Sequence, residues 1–307
     1  MKKQELRANL LLLSAAAIWG LAFVAQRVGA QYLGSFSFNG IRFALGSLSL
    51  LPLLYFMKGK AGGGTTGAKP ARVLPAGLIA GCVLFSGASL QQIGLVHTTA
   101  GKAAFITGLY IVLVPVLGIF LKQRLHASAW LGVAVATVGL YFLSVTADFT
   151  IVGSDLVVLA GAFFWSLHIL VIDHFSRRVD VLKLCLIQFL TCAALSLAAA
   201  LLLERITLRG VEQALIPLLY GGIGSVGVAY TLQVLGQKHA KPSHAALVLS
   251  MEAVFASLGG WLILHENLGL RGYLGCLLML AGMLLSQLPE LRSPGPSPGL
   301  VEEKAEA

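Results

Sequence analysis

The sequence predicts an all-α membrane protein of ten transmembrane helices, built as two inverted five-helix repeats around a central cavity. Three observations carry this: apolar segments of spanning length tile the chain, its halves share a residue pattern at a nearly fixed register, and basic residues alternate from loop to loop. Of the 307 residues, 57% are hydrophobic and 11% charged, and mean hydropathy is +0.85, whereas soluble domains are about 25% charged. A hydrocarbon core about 30 Å thick takes roughly 20 apolar residues per spanning helix. Such segments lie near residues 8–28, 37–57, 73–95, 103–121, 128–146, 155–173, 181–203, 214–236, 244–264 and 271–288.

The first segment follows Lys2 and Lys3 but lacks a small-x-small cleavage site before polar sequence, so it reads as a retained helix rather than a signal peptide. Orientation follows from charge. With the N-terminus inside, 16 of the 22 basic residues fall on one side, among them Arg7, Lys58, Arg72, Arg124, Arg178 and Lys241. Arg27, Lys102, Arg205, Arg209 and Arg271 fall on the other, and Arg42 lies within a span. The positive-inside rule then places both termini in the cytoplasm of a cell with this protein in its cytoplasmic membrane. The formal charge of +9 does not indicate a nucleic-acid partner, because such a surface concentrates Lys and Arg on a soluble face and none exists here. Cys82, Cys185, Cys192 and Cys276 fall in apolar spans without metal-ligand spacing and are expected to be small buried packing residues. The 35 glycines suit close helix contacts and the bending that alternating access needs.

The chain repeats internally. Asn9-Leu10 and Ala16-Ala17-Ile18-Trp19 correspond to Asp155-Leu156 and Ala162-Phe163-Phe164-Trp165, and Ile41-Arg42-Phe43 to Ile187-Gln188-Phe189, all at an offset of 146. Gln91, Gly94 and His97 match Gln233, Gly236 and His239 at 142. Gln123, Leu125, Leu131-Gly132 and Gly139 match Glu266, Leu268, Leu274-Gly275 and Gly282 at 143. The repeats are expected over residues 8–146 and 155–288, with a disordered cytoplasmic tail over 289–307 rich in Pro and Glu. Five spans per repeat is an odd number, so the second repeat enters the membrane from the opposite side. Inverted repeats recur in secondary transporters, where two related halves exchange conformations about a central site.

Trp19-Gly20 with Phe23, Ile41-Arg42-Phe43-Ala44, and Leu109-Tyr110-Ile111-Val112-Leu113-Val114-Pro115 before Gln123-Arg124-Leu125 resemble the drug/metabolite transporter superfamily, in its EamA branch. The second half adds Ser250-Met251-Glu252-Ala253-Val254-Phe255, Gly260-Trp261 and Glu266. Gln123 departs from the Glu usual in the first repeat, and Ala253 from the Pro frequent in the second. The resemblance implies a cavity surrounded by the first four helices of each repeat, with helices five and ten peripheral. It also implies a small-molecule cargo such as an amino acid, amine, sugar or other metabolite, moved outward by many members.

Ionisable residues inside spans face a cavity or a partner by default, because lipid cannot solvate them. Arg42 lies roughly 8 Å into its helix and Glu252 roughly 13 Å, near mid-membrane, at 1.5 Å per residue. Glu252 is the leading candidate to bind a cationic cargo group or exchange a coupled proton, with a structural hydrogen bond as the alternative. Arg42 reads equally as a cavity residue and as a helix-tying or snorkelling one. His168 titrates near neutrality if water reaches it, and otherwise bonds a neighbouring helix. Gln91, Gln92 and Gln233 offer donors and acceptors to a polar cargo or to other helices. Tyr110 and Tyr230 offer aromatic faces with hydroxyls. Trp19 and Trp165 occupy equivalent positions inside spans, away from the interfacial belt, and suggest cavity lining, whereas Trp261 suits that belt.

Two apparent motifs fail. In Gly62–Lys69 the Gly-Lys pair of a phosphate loop is interrupted by Ala68, and in His265-Glu266 the second zinc-protease histidine is replaced by Gly269. A membrane enzyme needs an assembled nucleophile and base or a ligand set, and none is spelled out, so no cofactor or metal is expected. A channel needs a polar filter or charged rings, which the sparse charges do not supply. A non-transporting partner subunit remains the other alternative to a transporter.

Overall fold

Length and apolarity decide this architecture. The computed structural model describes residues 2–56, 72–120, 127–144, 152–176, 178–240 and 242–292, and all its regular elements are helical. In order these are α1 (Lys2–Gly29), α2 (Ser35–Phe56), α3 (Val73–Leu95), α4 (Ala100–Gly108), α5 (Tyr110–Phe120), α6 (Ala127–Ser144), α7 (Gly153–Ser176) and α8 (Val181–Leu203). There follow α9 (Leu208–Gln213), α10 (Leu215–Leu219), a π-helical stretch (Tyr220–Ala229), α11 (Tyr230–Gln237), α12 (Pro242–Leu249), α13 (Glu252–Leu264) and α14 (Gly269–Arg292). Eight helical runs among the described residues are long and apolar enough to cross a membrane, and shorter apolar stretches occupy Trp130–Phe142 in α6 and Gly269–Gly282 in α14. The chain is a multi-pass membrane protein. The Gly62–Lys69 loop, Gln123 and residues 293–307 of the expected tail lie outside the described residues, and α14 carries helix through Arg292.

Local chemistry sets several helix starts. Thr99 and Asp180 cap α4 and α8 by accepting from Lys102 N and Lys183 N, which satisfies N–H groups that a helix cannot pair internally. Three expected spans are interrupted. The 103–121 span breaks at Leu109 between α4 and α5, the 244–264 span at Ser250 and Met251 between α12 and α13, and the 214–236 span passes through the π-helical stretch. Non-helical or loosened backbone inside a membrane occurs where protein or a cavity replaces lipid.

Helices α1–α5, α7, α8 and α10–α13 pack across one another around the interior, α9 contacts α10, and α6 and α14 pack chiefly on each other at one flank. That last contact depends on two glycines from matching repeat positions. A Cβ on Gly139 would lie 2.6 Å from Met279 N, and one on Gly282 would lie 2.5 Å from Ala136 N. Overpacking of this kind typically costs about 1–3 kcal/mol. Gly282→Val is therefore expected to lower the unfolding midpoint in detergent, with Gly282→Ala intermediate, and equal midpoints for all three proteins would refute the contact.

Cys185, Cys192 and Cys276 are buried, but Cys82 is exposed. This corrects the expectation of four buried cysteines. On α3 the inward face carries Ala80, Gly81, Leu84 and Ala88, and the helical period turns position 82 outward.

Candidate functional site

The helix breaks and the inner faces of both halves converge on one buried cavity. Its wall is made by Trp19, Phe23 and Gln26 of α1, Arg42 of α2, Gln91 of α3, Thr107 and Tyr110 of α4 and α5, and Trp165 and Ile169 of α7. Ser225 of the π-helical stretch, Tyr230 and Gln233 of α11, Leu249 of α12 and Glu252 of α13 complete it. Its volume is about 40 Å³, space for a few water molecules. Small-molecule pockets commonly measure about 300–1,000 Å³, and this cavity is several-fold smaller.

Tyr230 is the hub of an aromatic wall. Its ring lies 4.6 Å from Trp19 edge-on, 6.1 Å from Trp165 nearly stacked, and 5.6 Å from Phe189 between centroids. Hydrogen bonds hold both tryptophans. Trp19 Nε1 donates to Ser225 O at 3.2 Å, and Trp165 Nε1 donates to Gln91 Oε1 at 2.7 Å. Gln91 Nε2 donates in turn to Gln26 Oε1 at 3.2 Å, and Gln26 Nε2 to Ala22 O at 3.2 Å. Gln91 is thus engaged in orienting Trp165.

Its repeat counterpart behaves differently. Gln233 Oε1 is buried without a hydrogen-bond partner, as are Thr107 Oγ1, Tyr110 Oη and Glu252 Oε1. Tyr110 and Glu252 each open a helix just past a break, in α5 and α13. Their side chains are within interacting reach, yet the orientation leaves Tyr110 Oη and Glu252 Oε1 without a formed bond. A buried unsatisfied group costs about 1–3 kcal/mol. These atoms therefore favour a polar ligand or water in the cavity.

Arg42 is the cavity's cation, 2% exposed. Its guanidinium sits 5.0 Å from the Phe43 ring centroid and 5.8 Å from that of Phe38. Nε donates to Asn39 Oδ1 at 2.9 Å, and Asn39 Nδ2 donates to Ala88 O at 3.0 Å, fixing the group against α3. This geometry removes the snorkelling alternative. No ion pair joins Arg42 to Glu252 among the described residues, so the cavity presents a guanidinium and a carboxyl at separate places.

Of the nine sequence-derived candidates, Trp19, Arg42, Gln91, Tyr110, Trp165, Tyr230, Gln233 and Glu252 line the cavity and His168 does not. His168 is fully buried behind Trp165 and Tyr230, with Nε2 2.9 Å from Gln188 Oε1. Gln92 turns away and donates to Gln26 O. Sequence reasoning missed Gln26, Thr107 and Ser225. Gln26 was the most accessible of these, standing two helical turns from Trp19 and so on the same face.

The model for the EamA-like transporter family matches residues 6–145 and again 153–288. The chain belongs to the EamA-like transporter family. An Archaeoglobus fulgidus protein described as an uncharacterized transporter is 32% identical over 287 residues, spanning 93% of this chain and 87% of the relative. The Bacillus subtilis uncharacterized transporter YoaV is 22% identical over 90% of this chain and 94% of its own length. A solved structure titled only as the crystal structure of a protein superposes with a TM-score of 0.68 at 18% identity, covering 93% of this chain and 99% of the other. That likeness establishes shared fold. Membership of the EamA-like family makes this a membrane-embedded chain of a transporter family, with small molecules as the class of cargo.

Proposed function

We propose that this EamA-like chain is a secondary transporter that moves a small polar metabolite across the cytoplasmic membrane by alternating access, as an exporter. The observation that carries the reading is the set of unsatisfied polar atoms in the cavity, with Arg42 and Glu252 unpaired and an aromatic wall between the halves. Glu252 Oε1 and Gln233 Oε1 are acceptors suited to an ammonium group, and the Arg42 guanidinium is a donor suited to a carboxylate. An amino acid, amine or related compound fits this chemistry. A proton at Glu252 is the alternative coupled charge.

In this reading ten helices cross the membrane, α6 and α14 supplying the fifth and tenth, and the repeats span 8–146 and 155–288. Support comes from pairings that exchange when the halves are exchanged. α3 lies against α7 and α8 as the π-helical run with α10 and α11 lies against α1 and α2, while α13 lies on α1 as α4 and α5 lie on α7. α2 with α8, and α6 with α14, pair with their own counterparts. Export is the direction that the family resemblance favours.

A reporter fused after Arg72 or Arg178 is expected to be cytoplasmic, and one after Asp148 or Arg209 external. Asp148 and Arg178 on the same side would overturn the inverted arrangement. The functional test is a metabolite screen in proteoliposomes and in a deletion strain. Retention of one amine or amino acid in the strain and its movement in the vesicles support the proposal. Movement of nothing, together with a co-purifying protein, would favour a partner subunit, and ohmic ion flux would favour a channel.

A further inference from the structure

Four buried oxygen atoms around the cavity have no hydrogen-bond partner, and they come from both halves of the chain. Thr107 Oγ1 and Tyr110 Oη belong to the first half, Gln233 Oε1 and Glu252 Oε1 to the second. Their residues are 2–4% exposed, and all four line the same cavity.

Two helix breaks place them. The repeat offset of 142 that carries Gln91 to Gln233 also carries Leu109 to Met251 and Tyr110 to Glu252. The breaks are therefore counterparts, and so are the residues that follow them. At each break the amide reaches back three residues instead of four: Leu109 N donates to Ile106 O at 3.2 Å and Met251 N to Val248 O at 3.3 Å. The Tyr110 phenol and the Glu252 carboxyl then come within interacting reach across the boundary between the halves. Farther along the same two helices, a Cβ on Gly101 would lie 2.8 Å from Ser257 Oγ. α4 thus runs antiparallel to α13, and Thr107, in the last turn of α4, stands beside the Tyr110–Glu252 pair.

This set has the chemistry of a hard-cation site, because every unsatisfied atom in it is an oxygen, the ligand type such ions take. The helix ends agree. Glu252 opens α13, where the dipole favours an ionised carboxylate, and α4 ends here with its partial negative charge. Discontinuous helices at the boundary between repeats are also where secondary transporters hold coupling cations. Size and charge narrow the ion. A cavity of about 40 Å³ has room for an ion with a few water molecules. Glu252 is the one acid among the described residues of its wall, which also carries Arg42, so a divalent ion would leave a buried excess of positive charge that the interior penalises.

We propose that Thr107, Tyr110, Gln233 and Glu252 hold a monovalent alkali cation at the boundary between the halves, and that this is the ion coupled to the cargo. The coupling rests on the transport reading above, whereas the binding site does not. Ligands from both halves make the ion a fastening between them, so that its binding and release bias how the cavity is exposed.

The test is equilibrium binding, and it needs no cargo. Purified protein in detergent is titrated with radioactive sodium and, in parallel, with radioactive rubidium as the potassium analogue, choline chloride keeping ionic strength constant. Saturable binding of one alkali ion per chain is expected, with a higher unfolding midpoint in that ion's chloride than in choline chloride. Thr107→Val keeps the shape but removes one oxygen, and should raise Kd about tenfold, the factor that 1.4 kcal/mol gives. Glu252→Gln should abolish saturable binding. If Glu252→Gln fails to fold, Thr107→Val still decides, because an ion bound elsewhere would leave its Kd at the parental value. No saturable binding of either ion by the folded parent, or binding that these substitutions leave unchanged, overturns the site. Ion binding in a protein that moves no metabolite would uphold the site and refute the transport reading, whereas metabolite transport by a protein that binds neither ion does the reverse.

Discussion

Glu252→Gln is expected to cut transport roughly tenfold, the loss that follows when a charge-assisted hydrogen bond worth about 1.5–3 kcal/mol is replaced by a neutral one worth about 0.5–1.5 kcal/mol. The substitution is nearly isosteric. Glu252 is 4% exposed, opens α13 beside the helix break, and faces Tyr110 across the cavity with Oε1 unsatisfied. An amide there keeps the side chain's size and one oxygen acceptor, and no formed bond to Tyr110 is lost, so the fold and surface expression should persist. If Glu252 carries the coupled proton, the variant's initial rate in proteoliposomes should also become independent of pH, because the amide does not titrate. If it binds only a cationic cargo group, KM should rise for amines and stay unchanged for neutral analogues. A variant with parental rate and pH profile would make Glu252 a structural hydrogen-bonding residue.

Much of this site was legible because two independent regularities coincide in the sequence. Trp19 and Trp165 stand at the same repeat position, and residues at one position of related helices share depth and, around a common centre, direction. Gln91 and Gln233 obey the same rule, yet the rule does not say which of them is engaged. Gln91 accepts from Trp165 Nε1 and donates to Gln26 Oε1, whereas Gln233 Oε1 has no partner. His168 shows a second limit. It stands three residues from Trp165, on neighbouring positions of one face, but the approach of Gln188 from α8 draws it out of the cavity wall.

The interruptions were not legible. Leu109, Ser250 and Met251 are not helix breakers by type, and Pro115 lies inside α5 rather than at its break. The glycines at 221, 222, 224 and 227 signalled close packing, which occurs: a Cβ on Gly222 would lie 2.6 Å from Leu45 Cβ. Hydrophobic period does not distinguish i→i+5 from i→i+4 pairing in an apolar run, so the π-helical stretch carried no separate signal. These interruptions bring Tyr110, Ser225 and Glu252 to the cavity, so the least legible feature of the fold positions its polar chemistry.

Arg42→Met is expected to leave the protein folded, at parental or higher thermal stability, and to reduce transport of a carboxylate-bearing cargo by about 100-fold. Two opposing costs decide the stability. A buried guanidinium pays desolvation that the two phenylalanine faces and one bond to Asn39 offset only in part, and apolar replacement of buried charged groups is often neutral or stabilising. Asn39 keeps its own bond to Ala88 O, so α2 stays fastened to α3. The transport loss follows from a charged, two-pronged donor disappearing at a desolvated site, where such a contact is worth about 1.5–3 kcal/mol. Arg42→Lys separates charge from shape. It keeps the cation but loses the planar fork and the Nε donor that now meets Asn39, so transport should fall by roughly tenfold with KM raised more than the maximal rate changes. The measurements are unfolding midpoint and initial uptake for the parent and both variants. A destabilised Arg42→Met protein that transports normally once folded would assign the guanidinium to helix packing alone.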